Sequence, residues 1–353
     1  MTIKGDSIPT LVQTILDNAK NKRDYIIPAT TLRMTEDQEL TWMNAAGPVV
    51  TEPSDHARNQ LADYLGIPRG FMQKLRENAP DLISVNVNRL LDNHQNEKRL
   101  VRTLNGHTRA ILSNRFGLYE NEEVAEYLFP VILDQPQFQI ESATVTDKAL
   151  YVQVVTPALT GEIRVGDVIQ GGFIIKNSEI GLGKIEIDPF LKRLRCTNGM
   201  MGFDYGKKRA HLGGSLLGND DSFTVLKDET IQAKNQAFWL EMRDHLNTLT
   251  SEEGFKKILQ DIREKANDAV PGDPGLVVEE VASRFQLREA EKKSVLYSYL
   301  GERDHTRWGL ANAMTQVANA HPSYDRAIEL QGMGGDIMAL QGSEWTSLVS
   351  RGQ

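Results

Sequence analysis

The stretch NSEIGLGKIEIDPFLKRLRCTNGMMGFDYGKKRAH, Asn177 to His211, decides how the rest of the chain is read. Ile185 and Ile187 alternate with Lys184, Glu186 and Asp188 at the two-residue period of a strand with one buried face. Pro189 has no amide to give a ladder, so a bulge or an edge position is expected there. Beyond it Phe190, Leu194 and Cys196 fall on one face, and Leu191, Arg193 and Arg195 on the other. The two guanidinium groups are therefore expected to project together. Lys207, Lys208 and Arg209 follow a glycine-punctuated turn that holds Phe203 and Tyr205. This density of cations stands out in a chain of net charge −8.

Upstream, Asn105-Gly106 between Lys98–Leu104 and His107–Leu112 is a strong hairpin signal. A two-residue turn sets Leu104 opposite His107, Thr103 opposite Thr108, Arg102 opposite Arg109 and Leu100 opposite Ile111. Like charges directly opposed destabilise a strand pair. Something anionic is therefore expected between Arg102 and Arg109: either a carboxylate from elsewhere in the fold or a phosphate. Earlier still, Ser54 or Asp55 suits the start of a helix that runs to Leu65, Gly66 suits its end, and Pro68 opens a second helix toward Glu77. This pair reads either as a packed helical hairpin or as a helix-turn-helix, although Gly70 falls where a base-reading side chain is expected. Leu11 and Ile15 mark a short helix, and Tyr25–Ile27 and Leu40–Trp42 mark strand fragments.

Glu120 to Leu133 carries the apolar stripe of a helix, Leu150 to Val155 alternates as a strand, and Gly161 to Lys176 adds strand material with a Gly-Gly break. Hairpin, helix and successive strands predict an α+β fold, a mostly antiparallel sheet with flanking helices. After Gly213-Gly214 helical spacing takes over: Thr224 to Leu249, Phe255 to Ala266, Leu276 to Leu300 and Arg303 to Ala320. The last twenty or so residues, rich in glycine and weakly periodic, are expected to be mobile. The expected division is an α+β domain over 1–215, with the basic hairpin and strand, and an acidic helical region over 216–353. Lys plus Arg against Asp plus Glu is 25 to 26 in the first part and 15 to 22 in the second.

Composition is that of an ordinary soluble protein. No apolar run reaches the ~20 residues of a membrane span, and the N-terminus lacks the apolar core of a signal peptide. A cytoplasmic location and no membrane partner are the expectation. Cys196 is the only cysteine, which excludes an internal disulfide and points to a small buried residue. No histidine pair has metal-ligand spacing, and no metal or other cofactor is expected. The phosphate-binding-loop likeness of Gly181-Leu182-Gly183-Lys184 fails, because Ser178 stands where the first glycine belongs and Ile185 where the hydroxyl belongs. Glu186 and Asp188, two apart on one strand face, match a divalent-cation pair for phosphodiester chemistry or a solvated strand face. No lysine on an adjacent strand is apparent to complete a nuclease-like trio.

The phrases QLADYLGIP, LVRTLNGHTRAILSNRF, NSEIG followed by RLRCTNGM, and TRWGLANAMT resemble the domain-of-unknown-function-932 family, the phage/plasmid-like proteins, over most of the chain. That resemblance implies a DNA-processing factor of a mobile element, and single-strand annealing is one role it implies. The leading expectation is a non-catalytic, single-stranded-DNA-binding protein acting as a homo-oligomer in a bacterial host. Arg102, Arg109, Arg115, Arg193, Arg195, Lys207, Lys208 and Arg209 would neutralise phosphates, while Phe203 and Tyr205 offer stacking faces. The alternatives are a helix-turn-helix regulator of duplex DNA and a metal-dependent nuclease.

Overall fold

Two large hydrophobic cores organise residues 5–195, 198–209 and 228–350, which the computed structural model describes. Helix α1 (Ile8–Asn21) leads into β1 (Lys22–Pro28), then a meander of β2 (Arg33–Met34), β3 (Leu40–Asn44) and β4 (Gly47–Thr51). Helices α2 (Asp55–Tyr64), α3 (Arg69–Asn78) and α4 (Asp81–Leu91) precede the hairpin β5 (Lys98–Leu104) and β6 (His107–Ser113). Ser54 Oγ caps α2 by accepting from the Ala57 amide, and Gly66 ends that helical unit at φ +68°. Trp42, Leu61, Val87, Val101 and Ile111 fill the core of this lobe, residues 22–113.

Helix α5 (Asn121–Leu133) starts with Glu120 and Glu123 bonding reciprocally across its first turn. The strands β7 (Gln139–Val145), β8 (Leu150–Glu162), β9 (Val168–Asn177), β10 (Ile185–Arg193), β11 (Gly199–Met201) and β12 (Lys207–Arg209) form one antiparallel sheet. Its order is β11-β10-β9-β8-β7, with β12 also pairing β10. Then follow α6 (Asp228–Leu249), α7 (Glu252–Ala266), α8 (Pro274–Arg284), α9 (Glu289–Glu302), α10 (Arg307–Asn319), α11 (Tyr324–Ala339) and α12 (Gly342–Ser350). One sheet face, with Val152, Phe173, Ile185 and Ile187, shares a core with α1, α5, α6 and α7. On the other face Tyr151, Ile174 and Phe190 pack against Met201 and Ile328 of α11. The fold is α+β, with antiparallel sheets and a helical C-terminal region. Among the described residues no helix is long and apolar enough to cross a membrane.

Several expectations change. A bulge between Arg102 and Thr103 shifts the hairpin, so Arg102 pairs with Ala110 and Leu100 with Leu112, leaving Arg109 as the extra residue. Pro189 makes no bulge: β10 stays in register with β9, and the other flank is broken there, between β11 and β12. Gly171-Gly172 is no break, for β9 runs through it; a Cβ on Gly172 would lie 1.9 Å from the Val154 carbonyl oxygen of β8. The helical stretch from Leu276 to Leu300 divides into α8 and α9. Of the C-terminal glycines, Gly334 and Gly335 belong to α11, buried against Thr315 and the Met201 backbone, and Gly342 opens α12, so the described tail, through Ser350, is helix. The boundary at 215/216 falls outside the described residues, and the sheet before it shares one core with the helices after it. Cys196 and the start of the helix expected from Thr224 also lie outside them.

Candidate ligand cleft and the ionic hub behind it

The loop from β9 to β10 begins with Asn177-Ser178-Glu179-Ile180, and each of these residues fastens a different element. Asn177 Nδ2 donates to the Tyr119 carbonyl and to Asn121 Oδ1, at 2.8 and 2.9 Å, ahead of and within α5. Ser178 Oγ donates to the Lys148 carbonyl in the β7–β8 turn. The Ile180 carbonyl receives His56 and Gln60 of α2, each at 2.9 Å. Glu179, buried, accepts from Arg109 Nη1 at 2.7 Å, from the Asn121 amide at 2.9 Å and from Lys22 Nζ at 3.2 Å.

Glu179 is thus the carboxylate for Arg109, whereas Arg102 takes its carbonyl and finds its own carboxylates in Glu120 and Asp24. Arg102, with no exposed surface, gives Nη1 to the Glu179 carbonyl at 2.8 Å, Nη2 to Glu120 at 2.5 Å and Nε to Asp24 at 3.0 Å. Lys22 also meets Glu120, and meets Glu122 at 2.7 Å. Glu120, Glu122 and Glu179 place carboxylate oxygens within 4.8 Å of one another, and the Lys22 ammonium lies against all three. Burial, reinforced by the Glu179 carboxylate, pushes Glu120 up to about 7 despite its cations. Burial alone would raise Glu179 too, but its bond from Glu120 and the charges of Arg109 and Lys22 hold it below the carboxylate range. One proton shared by the pair, carried on Glu120, accounts for both.

Of the remaining sequence-predicted residues, Arg193 and Lys207 hold other carboxylates. Arg193 is buried at the far end of β10, eight residues from Ile185 or roughly 26 Å of strand, and grips Asp167 at 2.6 and 2.9 Å and Glu302 at 3.0 Å. The strand stops there, so Arg195 sits exposed in the following turn instead of beside Arg193; it pairs with no carboxylate among the described residues. Arg115 is exposed after β6, its amide held by Ser113 Oγ. Lys207 meets Glu241 at 2.8 Å. Phe203 is buried, and the half-buried ring of Tyr205 lies 5.5 Å beneath Lys257 Nζ, so neither is an open stacking face. The backbones of Lys208 and Arg209 stand opposite Glu186 and Ile185; their side chains lie outside the description. The expected shared basic surface is therefore corrected: Arg102, Arg109 and Arg193 serve internal ion pairs.

A cavity of about 300 Å³ opens on the α11 side of the sheet, at the β9–β10 loop. Its floor holds Lys176 and Glu186, two members of a charged trio that sequence reading did not assemble. Lys176 of β9 stands in register with Glu186 of β10 and reaches Glu186 at 2.5 Å and the fully buried Asp188 at 3.0 Å. The pair read as a cation site or a solvated face instead holds an ammonium, and the adjacent-strand lysine does exist. Its own burial lowers the Lys176 pKa, but Asp188 and Glu186 outweigh that and leave it raised, so it stays charged. Leu182, Met201 and Ile328 form apolar walls. Lys148 and Lys184 line the mouth, exposed, and neither meets a carboxylate among the described residues.

No family model, curated protein or solved structure matches this chain. The functional reading therefore rests on the chain's own geometry. Lys176 was within reach of the sequence: once β9 and β10 are paired across the loop, it falls opposite Glu186. Lys148 and Lys184 carry no local signal, because what marks them is their place at the cleft without an ion pair to any described residue. The α2–α3 pair buries Met72 and Leu75 and exposes the rest of α3, but Arg69 and Arg76 there already hold Asp63 and Asp55.

Proposed function

We propose that the chain binds single-stranded nucleic acid without cleaving it, at the cleft above Lys176. The observation that carries this reading is the pair of ammonium groups, Lys148 and Lys184, at the mouth of the cavity, with no ion-pair partner among the described residues. Exposed cations without internal partners are the ones able to exchange counterions for phosphates. The resemblance to the phage/plasmid-like family supports a DNA-processing role on a mobile element. Recognition of duplex DNA by α3 is the weaker reading, since its two arginines are committed to Asp63 and Asp55.

A labelled single-stranded oligonucleotide, titrated at several salt concentrations beside its duplex form, tests the proposal. Micromolar or tighter single-strand binding that weakens steeply with salt is expected. Lys148→Ala with Lys184→Ala should reduce the magnitude of the log-log salt slope by about 1.4, from ~0.7 per lost single-strand phosphate contact. No binding at low salt, or an unchanged slope in the double variant, refutes it.

A further inference from the structure

We infer that the cleft takes one unstacked nucleobase, guanine in preference to the others, with its phosphate held at the rim by Lys148 and Lys184. This rests on the single-strand reading and adds what the site recognises. A volume of about 300 Å³ lies at the small end of ligand sites, enough for one nucleotide unit and too little for a run of strand. The charges are also segregated by depth. Lysines with no carboxylate partner among the described residues stand at the mouth, where a backbone would pass, while the lysine at the floor is already bound to carboxylates. Phosphate is favoured outside and a neutral group inside.

The lining selects that neutral group. Leu182, Met201 and Ile328 give it apolar contact, and the floor presents a carboxylate beside an ammonium, Glu186 next to Lys176 at 2.5 Å. Glu329, also at the cleft, is engaged by Arg326 at 2.6 Å, a guanidinium that it shares with Glu291 at 2.8 Å. Proteins read an unstacked base along its Watson–Crick edge. Guanine offers two adjacent N–H donors to a carboxylate and a carbonyl acceptor to an ammonium. Thymine sets a single donor between two carbonyls, one of which would face the carboxylate.

The test titrates the full-length protein with dGMP, dAMP, dCMP, dTMP and inorganic phosphate, directly by calorimetry and as competitors of a bound oligonucleotide. dGMP should bind about tenfold or more tightly than dTMP, the discrimination of one good two-point base contact, and inorganic phosphate should compete more weakly than any of the nucleotides. Lys148→Ala with Lys184→Ala should weaken all four nucleotides alike, whereas Glu186→Gln should erase the differences among them. If Glu186→Gln does not fold, the wild-type ranking still decides. Equal affinity for the four nucleotides overturns the inference. Oligonucleotide binding untouched by saturating dGMP overturns it too, and leaves single-strand binding standing. Selective dGMP binding without oligonucleotide binding would keep the base site and discard the single-strand reading.

Discussion

Glu120 is the residue at which burial and charge conflict most openly. Around it Lys22, Arg102 and Arg109 face Asp24, Glu120, Glu122 and Glu179, three cations against four carboxylates. Asp24 and Glu122 reach water, but Glu120 and Glu179 are largely shielded from it, so the excess negative charge is relieved by a proton, and burial followed by the hydrogen bond and charge of Glu179 lifts Glu120 from 4.5 to about 7. An unfolded chain gives up this proton near pH 4.5, whereas the folded one keeps it to about pH 7. The folded state therefore binds more protons across that window, and stability should fall as pH rises from about 4.5 to 7. Glu179, held low, acts in the opposite sense and loses its contribution as pH falls below the ordinary carboxylate range. Glu120→Gln imitates the protonated form, so its urea-denaturation stability should be flat from pH 5 to 7, where wild type loses on the order of 1–3 kcal/mol. Parallel pH profiles for the two proteins would place the proton elsewhere.

At the scale of elements, legibility follows how local the determining physics is. The alternation in β10, the Asn-Gly turn, the Ser54 cap and the amphipathic α5 are set by neighbours in sequence, and all are found where they are expected. Features set by a distant partner are the ones missed. The glycines of α11 read as a loose tail because what they exclude is a side chain between that helix and Met201, 134 residues from Gly335. The Arg109 bulge is invisible to a count from the turn, as it answers to Glu179. Gly172 belongs with these: the 1.9 Å approach of its would-be Cβ to the Val154 carbonyl oxygen sets how closely β8 and β9 can lie. Gly172→Ala should cost about 1–3 kcal/mol by overpacking. Gly70→Ala, in α3 with no atom within 4 Å of the new Cβ, should stabilise by about 0.4–1 kcal/mol. Thermal denaturation of the two variants separates these outcomes by sign, and a stabilised Gly172→Ala would mean the strands have room to part.

For the molecule as a whole, the question is what joins the two cores. The lobe of residues 22–113 has its own apolar interior, and its polar attachment to the rest runs largely through the β9–β10 loop and the start of α5. Glu179 is central, because Lys22 and Arg109 come from the lobe while Asn121 comes from the other side. Removing one member of a buried ion pair costs about 3–5 kcal/mol, since it strands the partner charges. In Glu179→Ala that cost should fall on the junction and uncouple the lobe, whose apolar core the substitution does not touch. Hydrogen exchange read by mass spectrometry should then show amides of β5 and β6 exchanging at least about a hundredfold faster than in wild type, with those of β8 and β9 much less affected. Adding Arg109→Met removes one of the stranded charges and should recover part of the protection, the non-additivity expected of groups that share a partner. Uniform acceleration through both lobes would instead mean that the apolar contact of Ile180 with Leu100, Ala110 and Leu112 already welds them into one cooperative unit.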